Sequence, residues 1–378
     1  MLAKDAFLTL VRLGIETDDV STVNTNSFCE LSQKDWECVQ VMADKQGVSA
    51  IVMDGLSLLV EKYGKEGIAP NIDCSWWQMY VFEGTGAMLQ TEQCNSQQLK
   101  VMNELALLWS EEGCKVMVFK GQASATMYPK PEHRSPGDID CYLINNNHND
   151  NPNAYKIGNK VAREAGADVD ESWYKHSQIF YQGETFENHQ YFVHTRDGKR
   201  GKQQQKELED YLKQESVVFS ELSDSVLLPP VQWAAMFLTY HACAHFVSEG
   251  LRLKQLLDWA MLLEKHQDDV DWKSFYAFCD RCHLRRFADA ATTICAKYLG
   301  VNVLNPDITP DSPFADKILD SALYDDDYVF GSGEGSWHNR WHLVKNLFRY
   351  RWKYEDIYDD SVWRQLWFYA SGYLFHTE

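Results

Sequence analysis

The sequence has little that would place it in a membrane. Of its 378 residues, one stretch long enough to cross a bilayer, 225–248, is free of acidic and basic residues. It contains the pair Pro229-Pro230 and two histidines, which a membrane-spanning helix rarely carries. We therefore expect this stretch to form a buried helix of a globular protein.

Positive charge is also scarce. Lys and Arg number 36 against 55 Asp and Glu, which gives a net charge of −19. Such a surface repels the phosphate backbone of nucleic acids, so we expect no general nucleic-acid binding. The hydrophobic share of 45% and the aromatic share of 13% are typical of a folded chain with two or three domains.

The ten cysteines follow no recognisable framework. The C-x-x-C pair Cys279 and Cys282 has no second pair with which to form a four-thiolate zinc site, and we interpret both as free thiols on a helix. The first residues contain charges and no secretory cleavage pattern. Together these features predict a reducing, cytoplasmic compartment. The glycine-rich stretch 331–335 lacks a P-loop lysine and is expected to be a flexible connection.

Hydrophobic periodicity divides the chain into three regions. We predict a helical region over 1–95, an α/β core over 96–215 and a helical region over 216–378. The helical pattern that starts at Gln97 is expected to end before Gly113, where glycine suits a C-terminal cap.

Within the core, short apolar runs predict strands at 116–119 and 138–144. The segment 178–192 is rich in aromatic and β-branched residues around Gly183, which favours a hairpin or a bent pair of strands. We expect the sheet to end with this hairpin.

Two carboxylates, Asp138 and Asp140, are separated by one apolar residue at the start of the second strand. Residues i and i+2 of a strand point to the same face, so these side chains should lie together. Neighbouring carboxylates repel each other unless a cation lies between them, and oxygen ligands suit Mg²⁺. The alternative is that one caps a turn and the other is solvated.

The context of this pair resembles a known family. The residues that carry the resemblance are Phe119-Lys120-Gly121, Tyr128-Pro129, Pro131, Arg134 and Gly137-Asp138-Ile139-Asp140. Their order is similar to that of the uncharacterised bacterial nucleotidyltransferase family, within the superfamily of DNA polymerase β. The resemblance implies an α+β fold, with a small mixed sheet as the nucleotidyltransferase core between helical regions.

The family also carries a third acid on a neighbouring strand, and the best match here is Glu187 within 186–190. Glu187 and His189 share a face at i and i+2, and His176 lies upstream. Glu184 is the alternative, although it falls on the opposite face of an unbroken strand. The resemblance thus implies that Asp138, Asp140 and Glu187 are catalytic and bind the metal.

For the nucleotide, the resemblance implies four candidate ligands: Lys120, Gly121, Arg134 and His189. Gly121 would let the backbone approach the phosphates at a turn that opens a helix. Two alternatives stay open. Lys120 could instead pair with an acid of the site, and Arg134 could pair with Asp138.

The function implied by the resemblance is transfer of a nucleotidyl group from a nucleoside triphosphate to a hydroxyl acceptor, with Mg²⁺ or Mn²⁺. The acceptor is expected to be a small molecule or a protein side chain rather than RNA, because the chain is acidic. Two alternatives belong to other classes of protein. One is a catalytically silent nucleotide-binding or interaction protein on the same fold, and the other is a helical scaffold.

Three weaker signals complete the sequence. His241 and His245 lie at i and i+4 on a helix, and we expect a hydrogen-bonded core pair rather than a metal site. The acidic run 325–327 is interpreted as a turn. A basic cluster could meet a polyanionic acceptor, but a solvated loop is the preferred interpretation. Its members are Arg196, Lys199, Arg200, Lys202 and Lys206.

Overall fold

The structure is a computed structural model. It describes residues 2–145, 151–195, 198–214, 218–248, 250–305, 307–325, 348–358, 361 and 363. Arg196, the glycine-rich stretch 331–335 and two residues of the acidic run, Asp326 and Asp327, lie outside the described residues.

The elements follow one another in three groups along the chain. The first helices are α1 (Leu2–Gly14), α2 (Asn26–Cys29), α3 (Gln33–Gln46), α4 (Ser49–Ile68) and α5 (Cys74–Glu111). The middle group is β1 (Cys114–Val118), α6 (Gln122–Ala125), β2 (Ile139–Asn145), α7 (Asn151–Glu164), β3 (Asp168–Asp170), β4 (His176–Tyr181), β5 (Glu184–His189), α8 (Gly198–Leu212), β6 (Ser220–Ser223) and β7 (Val226–Leu228). The last helices are α9 (Val231–Ser248), α10 (Leu253–His266), α11 (Trp272–Arg281), α12 (Arg285–Tyr298), α13 (Ser312–Tyr324) and α14 (Arg351–Tyr358). Short 3-10 helices lie at Val20–Thr22, Pro131–His133 and Gln267–Asp269.

The described strands form one mixed sheet in the order β3-β4-β5-β2-β1-β7-β6. β2 pairs antiparallel with β1 and parallel with β5, and β4 and β5 form the expected hairpin. Its turn consists of Gln182 and Gly183, both with positive φ, which matches the right-handed twist of the two strands. The α+β architecture, with a small mixed sheet between helical regions, is confirmed.

The two faces of the sheet pack against different helices. Val116 and Val118 of β1 belong to a core with Trp109 of α5 and Ala154 of α7. The alternate residue, Met117, belongs to the larger core that contains helices α9 to α13. Because strand residues alternate between faces, Asp140, Tyr142 and Ile144 point to the same side as Met117. The acidic pair therefore faces the C-terminal helices.

The expected end of the sheet at residue 192 is wrong. β6 and β7 extend the sheet on its other side, with β7 parallel to β1. β6 is polar and β7 has three residues, so neither carries a measurable alternation of hydrophobicity. Within 225–248, the buried helix is confirmed, and it begins at Val231, directly after the prolines.

The boundaries at residues 95 and 215 stay predictions. α5 continues through residue 95 without a break and ends before Gly113, which has a φ of 75°. Cys279 and Cys282 are buried free thiols, as expected. None of the described helices has both the length and the apolar character needed to cross a membrane.

Candidate active site

Two neighbouring parallel strands bring together the carboxylates identified in the sequence. Asp140 of β2 is aligned with Glu187 of β5, so both side chains leave the same face of the sheet. In the adjoining hairpin, His176 is aligned with His189 on this face. Glu184 pairs with Tyr181 next to the turn and points to the other side. The register therefore places Glu187, and not Glu184, beside the acidic pair.

Asp140 is the most enclosed of the three acids, with 1% of its surface exposed. Its Oδ1 accepts from Lys120 Nζ at 2.8 Å and from His189 Nε2 at 3.0 Å. Burial alone would raise the pKa of Asp140, but the charge of Lys120 and the hydrogen bond from His189 hold it well below its ordinary range. The other oxygen, Oδ2, is buried and has no hydrogen-bond partner among the described residues.

Glu187 lies between two imidazoles. Its Oε2 is 3.3 Å from His189 Nε2 and 3.4 Å from His176 Nδ1. Burial would raise the pKa of Glu187, but its hydrogen bond with His189 lowers it. Burial also lowers the pKa of His176 to about 4, so this ring is neutral at pH 7. One ligand atom from each of the three residues lies within 4.8 Å of the other two.

Asp138 directly precedes β2 and its side chain is exposed. Desolvation by the surrounding protein and the like charges of Glu187 and Asp140 raise the pKa of Asp138. The three carboxylates therefore lie within electrostatic reach of one another. Asp138 is the member that a dissolved substrate can reach most easily.

Gly121 lies beside this acid at the beginning of α6, with a φ of 62°. A Cβ atom at this position would lie 3.7 Å from the backbone oxygen of Asp138. Positive φ favours glycine, so this residue lets the turn pass close to the start of β2. The expected turn that opens a helix is present, although α6 has four residues. Phosphate binding by Gly121 stays a prediction.

The structure places Lys120 and His189 as partners of the acids. Lys120 pairs with Asp140, which confirms the alternative of a pairing inside the site. His189 is 1% exposed, and its Nδ1 donates to the backbone oxygen of Tyr191 at 3.0 Å while Nε2 faces Asp140 and Glu187. Nucleotide binding by Lys120 and His189 stays a prediction.

Arg134 does not pair with Asp138, and that alternative is wrong. Its Nε and a terminal nitrogen each donate to a different oxygen of Asp258 on α10 at 2.8 Å. The hydroxyl of Tyr128 also donates to Asp258, at 2.9 Å. Arg134 and Asp258 are both buried, so the pair fastens the loop before β2 to the C-terminal helices. A phosphate contact by Arg134 stays a prediction.

Further residues hold this loop, and the sequence patterns above did not predict them. Buried Asp54 of α4 accepts from Lys130 Nζ at 2.6 Å and contacts His133 Nδ1 at 2.6 Å. The other ring nitrogen of His133 contacts Glu92 of α5 at 2.8 Å. We call the following set the ionic clamp: Asp54, Glu92, Lys130, His133, Arg134 and Asp258.

Polar side chains of α5 complete the attachment of the loop. Asn95 Nδ2 donates to the backbone oxygens of Glu132 and Arg134, at 2.7 and 2.9 Å. Gln98 Nε2 donates to the backbone oxygen of Gly137, next to Asp138, at 2.6 Å. The only signal in the sequence is the three-residue spacing of Glu92, Asn95 and Gln98, which places them along one side of a helix.

Aromatic residues form the wall of the site toward α9. Phe119 packs edge-on against His189 and against Phe237, with ring centroids 5.0 Å apart in each case. Phe237 in turn stacks on His241, whose ring is 4.4 Å from that of His245. Burial and the charge of Lys120 lower the pKa of His241 well below its ordinary value. The pair thus packs beside the site, and the metal-ligand group found among the described residues does not include it.

The basic cluster is not a loop, and that expectation is wrong. Its described members lie on the first turns of α8, whose Lys- and Gln-rich sequence has good helix propensity. The guanidinium of Arg200 lies 3.6 Å from the ring centroid of Tyr358, and Lys206 is 4.0 Å from Asp210. Both cations therefore have partners within the protein.

The chain matches a known protein family over most of its length. The family model described as uncharacterised nucleotidyltransferase matches residues 32–300, which include every described strand, the carboxylates and the ionic clamp. Comparisons with curated proteins and with solved structures found no match. Since the matched region is more than half of the sequence, this chain belongs to the uncharacterised nucleotidyltransferase family.

Proposed function

We propose that the protein is a Mg²⁺-dependent enzyme that transfers a nucleoside monophosphate from a nucleoside triphosphate to a hydroxyl acceptor. Family membership supports nucleotidyl transfer in general. The metal, the donor and the acceptor are our proposals. They depend on the chemistry of the residues around Asp140.

The observation that carries the proposal is the buried Oδ2 atom of Asp140, which lacks a hydrogen-bond partner among the described residues. A buried polar atom without a partner costs about 1–3 kcal/mol, and a bound cation would remove this cost. Asp138 and Glu187 supply further carboxylate oxygens, the donor type that Mg²⁺ prefers. These three acids fit a Mg²⁺ ion and would hold it.

Mg²⁺ at this position would supply charge neutralisation for the phosphates and a lower pKa for the attacking hydroxyl. The protein's own residues prepare the surroundings. His189 orients Asp140 and Glu187, since its Nε2 lies close to both carboxylates. The ammonium of Lys120 adds a fixed positive charge, and Gly121 leaves room for a phosphate near the backbone.

The reaction requires positioning and electrostatics rather than a covalent intermediate. The acceptor oxygen forms a bond to the α-phosphorus, the bond to the leaving pyrophosphate breaks, and the hydroxyl proton passes to solvent. Asp138 is exposed, so the substrates approach from its side. We propose a small hydroxylated molecule or a protein side chain as acceptor, because the net charge of −19 disfavours RNA.

One contact favours the alternative of a catalytically silent nucleotide-binding protein. Lys120 already neutralises Asp140 at 2.8 Å, which reduces the need of this carboxylate for a metal. The two functions differ in the fate of the bound nucleotide. The enzyme releases pyrophosphate when an acceptor is present, whereas the silent protein retains the triphosphate intact.

The test combines binding with turnover. The purified chain is heated with each nucleoside triphosphate, with and without Mg²⁺ or Mn²⁺, because a ligand of the native state raises the unfolding temperature. The nucleotide that gives a metal-dependent shift is then labelled at its α-phosphate and incubated with a panel of hydroxyl acceptors. Transfer of the label to the acceptor and release of pyrophosphate are both measured. We expect both signals in the wild type and in Glu184→Gln, and both to be strongly reduced in Asp138→Asn.

Two outcomes contradict the proposal. A metal-dependent shift without pyrophosphate release for any acceptor supports the silent protein. Pyrophosphate release at the wild-type rate in Asp138→Asn means that the reaction takes place elsewhere. The Glu184→Gln control removes an acid from the same strand as Glu187, but from the opposite face.

A further inference from the structure

We propose that His176, Glu187 and His189 form a second metal position, which binds a divalent transition ion such as Mn²⁺, Co²⁺ or Zn²⁺ without nucleotide. This position has two imidazoles, whereas the proposed Mg²⁺ position has carboxylates. Metal binding at the triad stands on its own geometry. Its use in catalysis rests on the proposed function.

Two distances within the triad match those around one ion, and the third, between the two ring nitrogens, is within 4.8 Å. Ligand atoms held tetrahedrally at about 2.1 Å from a metal lie about 3.4 Å apart. Glu187 Oε2 is 3.4 Å from His176 Nδ1 and 3.3 Å from His189 Nε2. All three residues are fixed on paired strands, and the two rings lie 4.9 Å apart between centroids. The ligands therefore need little rearrangement to close around an ion.

His176 provides an independent indication of a metal position. His176 is 9% exposed. Its Nδ1 atom is buried and forms no hydrogen bond with any described residue, although Glu187 is near. The ring nitrogen and the Glu187 carboxylate oxygen therefore face each other at 3.4 Å without a hydrogen bond between them. A metal ion would satisfy both groups at once.

His189 has the arrangement typical of a metal ligand. Its Nδ1 donates to the backbone oxygen of Tyr191 at 3.0 Å, which fixes the ring and directs Nε2 toward Glu187. Histidines that bind metals usually donate their other ring N–H to a carbonyl or carboxylate in this way. When the ion binds, the Nε2–metal bond replaces the hydrogen bond to the acids, and the displaced proton passes to solvent.

The donor set selects the class of ion. Imidazole nitrogens suit Zn²⁺, Co²⁺ and other transition ions, whereas Mg²⁺ requires oxygen ligands and loses its water reluctantly. The same face of the sheet would thus hold two chemically different ions, with Glu187 near both. We therefore expect transition ions to bind at the triad even when Mg²⁺ is present in excess.

The test titrates the full chain with Co²⁺ alone and measures its visible absorption, which reports nitrogen ligation and low coordination number. We expect one Co²⁺ per chain, displacement by Zn²⁺, and no displacement by millimolar Mg²⁺. His176→Gln and His189→Gln should each weaken Co²⁺ binding at least tenfold. His266→Gln is the matched control, because His266 is a surface residue hydrogen-bonded to Asp269, outside the triad.

Unchanged Co²⁺ affinity in His176→Gln would overturn the proposal, as would equal losses in His266→Gln. If His189→Gln fails to fold, His176→Gln alone decides, since its ring is at the edge of the site. Asp138→Asn separates the two proposals. This variant should retain Co²⁺ binding while losing nucleotidyl transfer. If the wild-type protein binds Co²⁺ but never transfers a nucleotide, the metal position at the triad is supported and the proposed function is wrong.

Discussion

Two groups of largely buried charges adjoin the loop that ends in Asp138, and they differ in how completely their buried atoms are paired. In the ionic clamp, Arg134 donates two hydrogen bonds to Asp258, and both ring nitrogens of His133 contact carboxylates. At the carboxylate site, Asp140 Oδ2 and His176 Nδ1 are buried without hydrogen-bond partners in the described chain.

The difference separates structure from function. A buried ion pair is tolerated when its geometry is good and its remaining atoms are satisfied, as in the clamp. An unsatisfied buried atom has a cost that the fold itself does not recover, and a bound ligand is one way to remove this cost. The clamp therefore positions the loop that ends in Asp138, whereas the unpartnered atoms of the carboxylate site fit the metal ions that we propose.

The largest expected effect is the loss of protein stability when the clamp is broken. Arg134→Met leaves Asp258 buried with Tyr128 as its remaining hydrogen-bond donor, and breaking a buried pair costs about 3–5 kcal/mol. Urea unfolding measures this loss of free energy. Arg163→Met is the matched control, because Arg163 pairs with Glu171 at the surface, where the change is below about 1 kcal/mol. Equal losses in the two variants would remove the distinction between the clamp and an ordinary ion pair.

The next effect tests the carboxylate site. Asp138→Asn should reduce nucleotidyl transfer about 10²–10³-fold, the size expected when one preorganised charge is removed from a transition state. Its unfolding free energy should not fall, because the raised pKa of Asp138 means that its charged form disfavours the folded state. Parallel rate measurements and unfolding curves check both statements. A large loss of stability would show that Asp138 belongs with the clamp.

Much of the site was predictable because its pattern is local. Asp138 and Asp140, like Glu187 and His189, are two residues apart, and the period of a strand places each pair on one face. The clamp was not predictable in this way. Asp54 and His133 are separated by 79 residues and Arg134 and Asp258 by 124, so only the folded chain shows that they meet.

A smaller effect concerns the turn between the two groups. Gly121→Ala should destabilise the protein by about 1–2 kcal/mol, because φ at this position is 62°, where an alanine Cβ is strained. Gly137→Ala is the control, since no atom lies within 4 Å of its added Cβ and its φ is ordinary. Thermal unfolding compares the two variants. Equal midpoints would mean that the backbone at 121 relaxes without strain.

The fold shows the same limit of local patterns. The hairpin around Gly183 and the strands β1 and β2 are predictable from apolar runs and turn residues. β6 and β7 were missed because they are short, and because β7 obtains its place from parallel pairing with Val116 and Met117, more than a hundred residues earlier. Such short strands depend on distant partners rather than on their own sequence.

The smallest expected effect is the pH dependence of the clamp. Burial alone would lower the pKa of His133, but hydrogen bonds to Asp54 and Glu92 outweigh it and raise this pKa above the ordinary value of about 6.5. The imidazolium therefore adds stability that is complete below about pH 6.5 and is lost as the pH rises through the folded-state pKa. The difference in unfolding free energy between wild type and His133→Gln should narrow from pH 6 to pH 9. A constant difference would mean that a change in the charge of His133 does not contribute to stability over this range, and that the strength of the clamp comes from the Arg134–Asp258 and Lys130–Asp54 pairs.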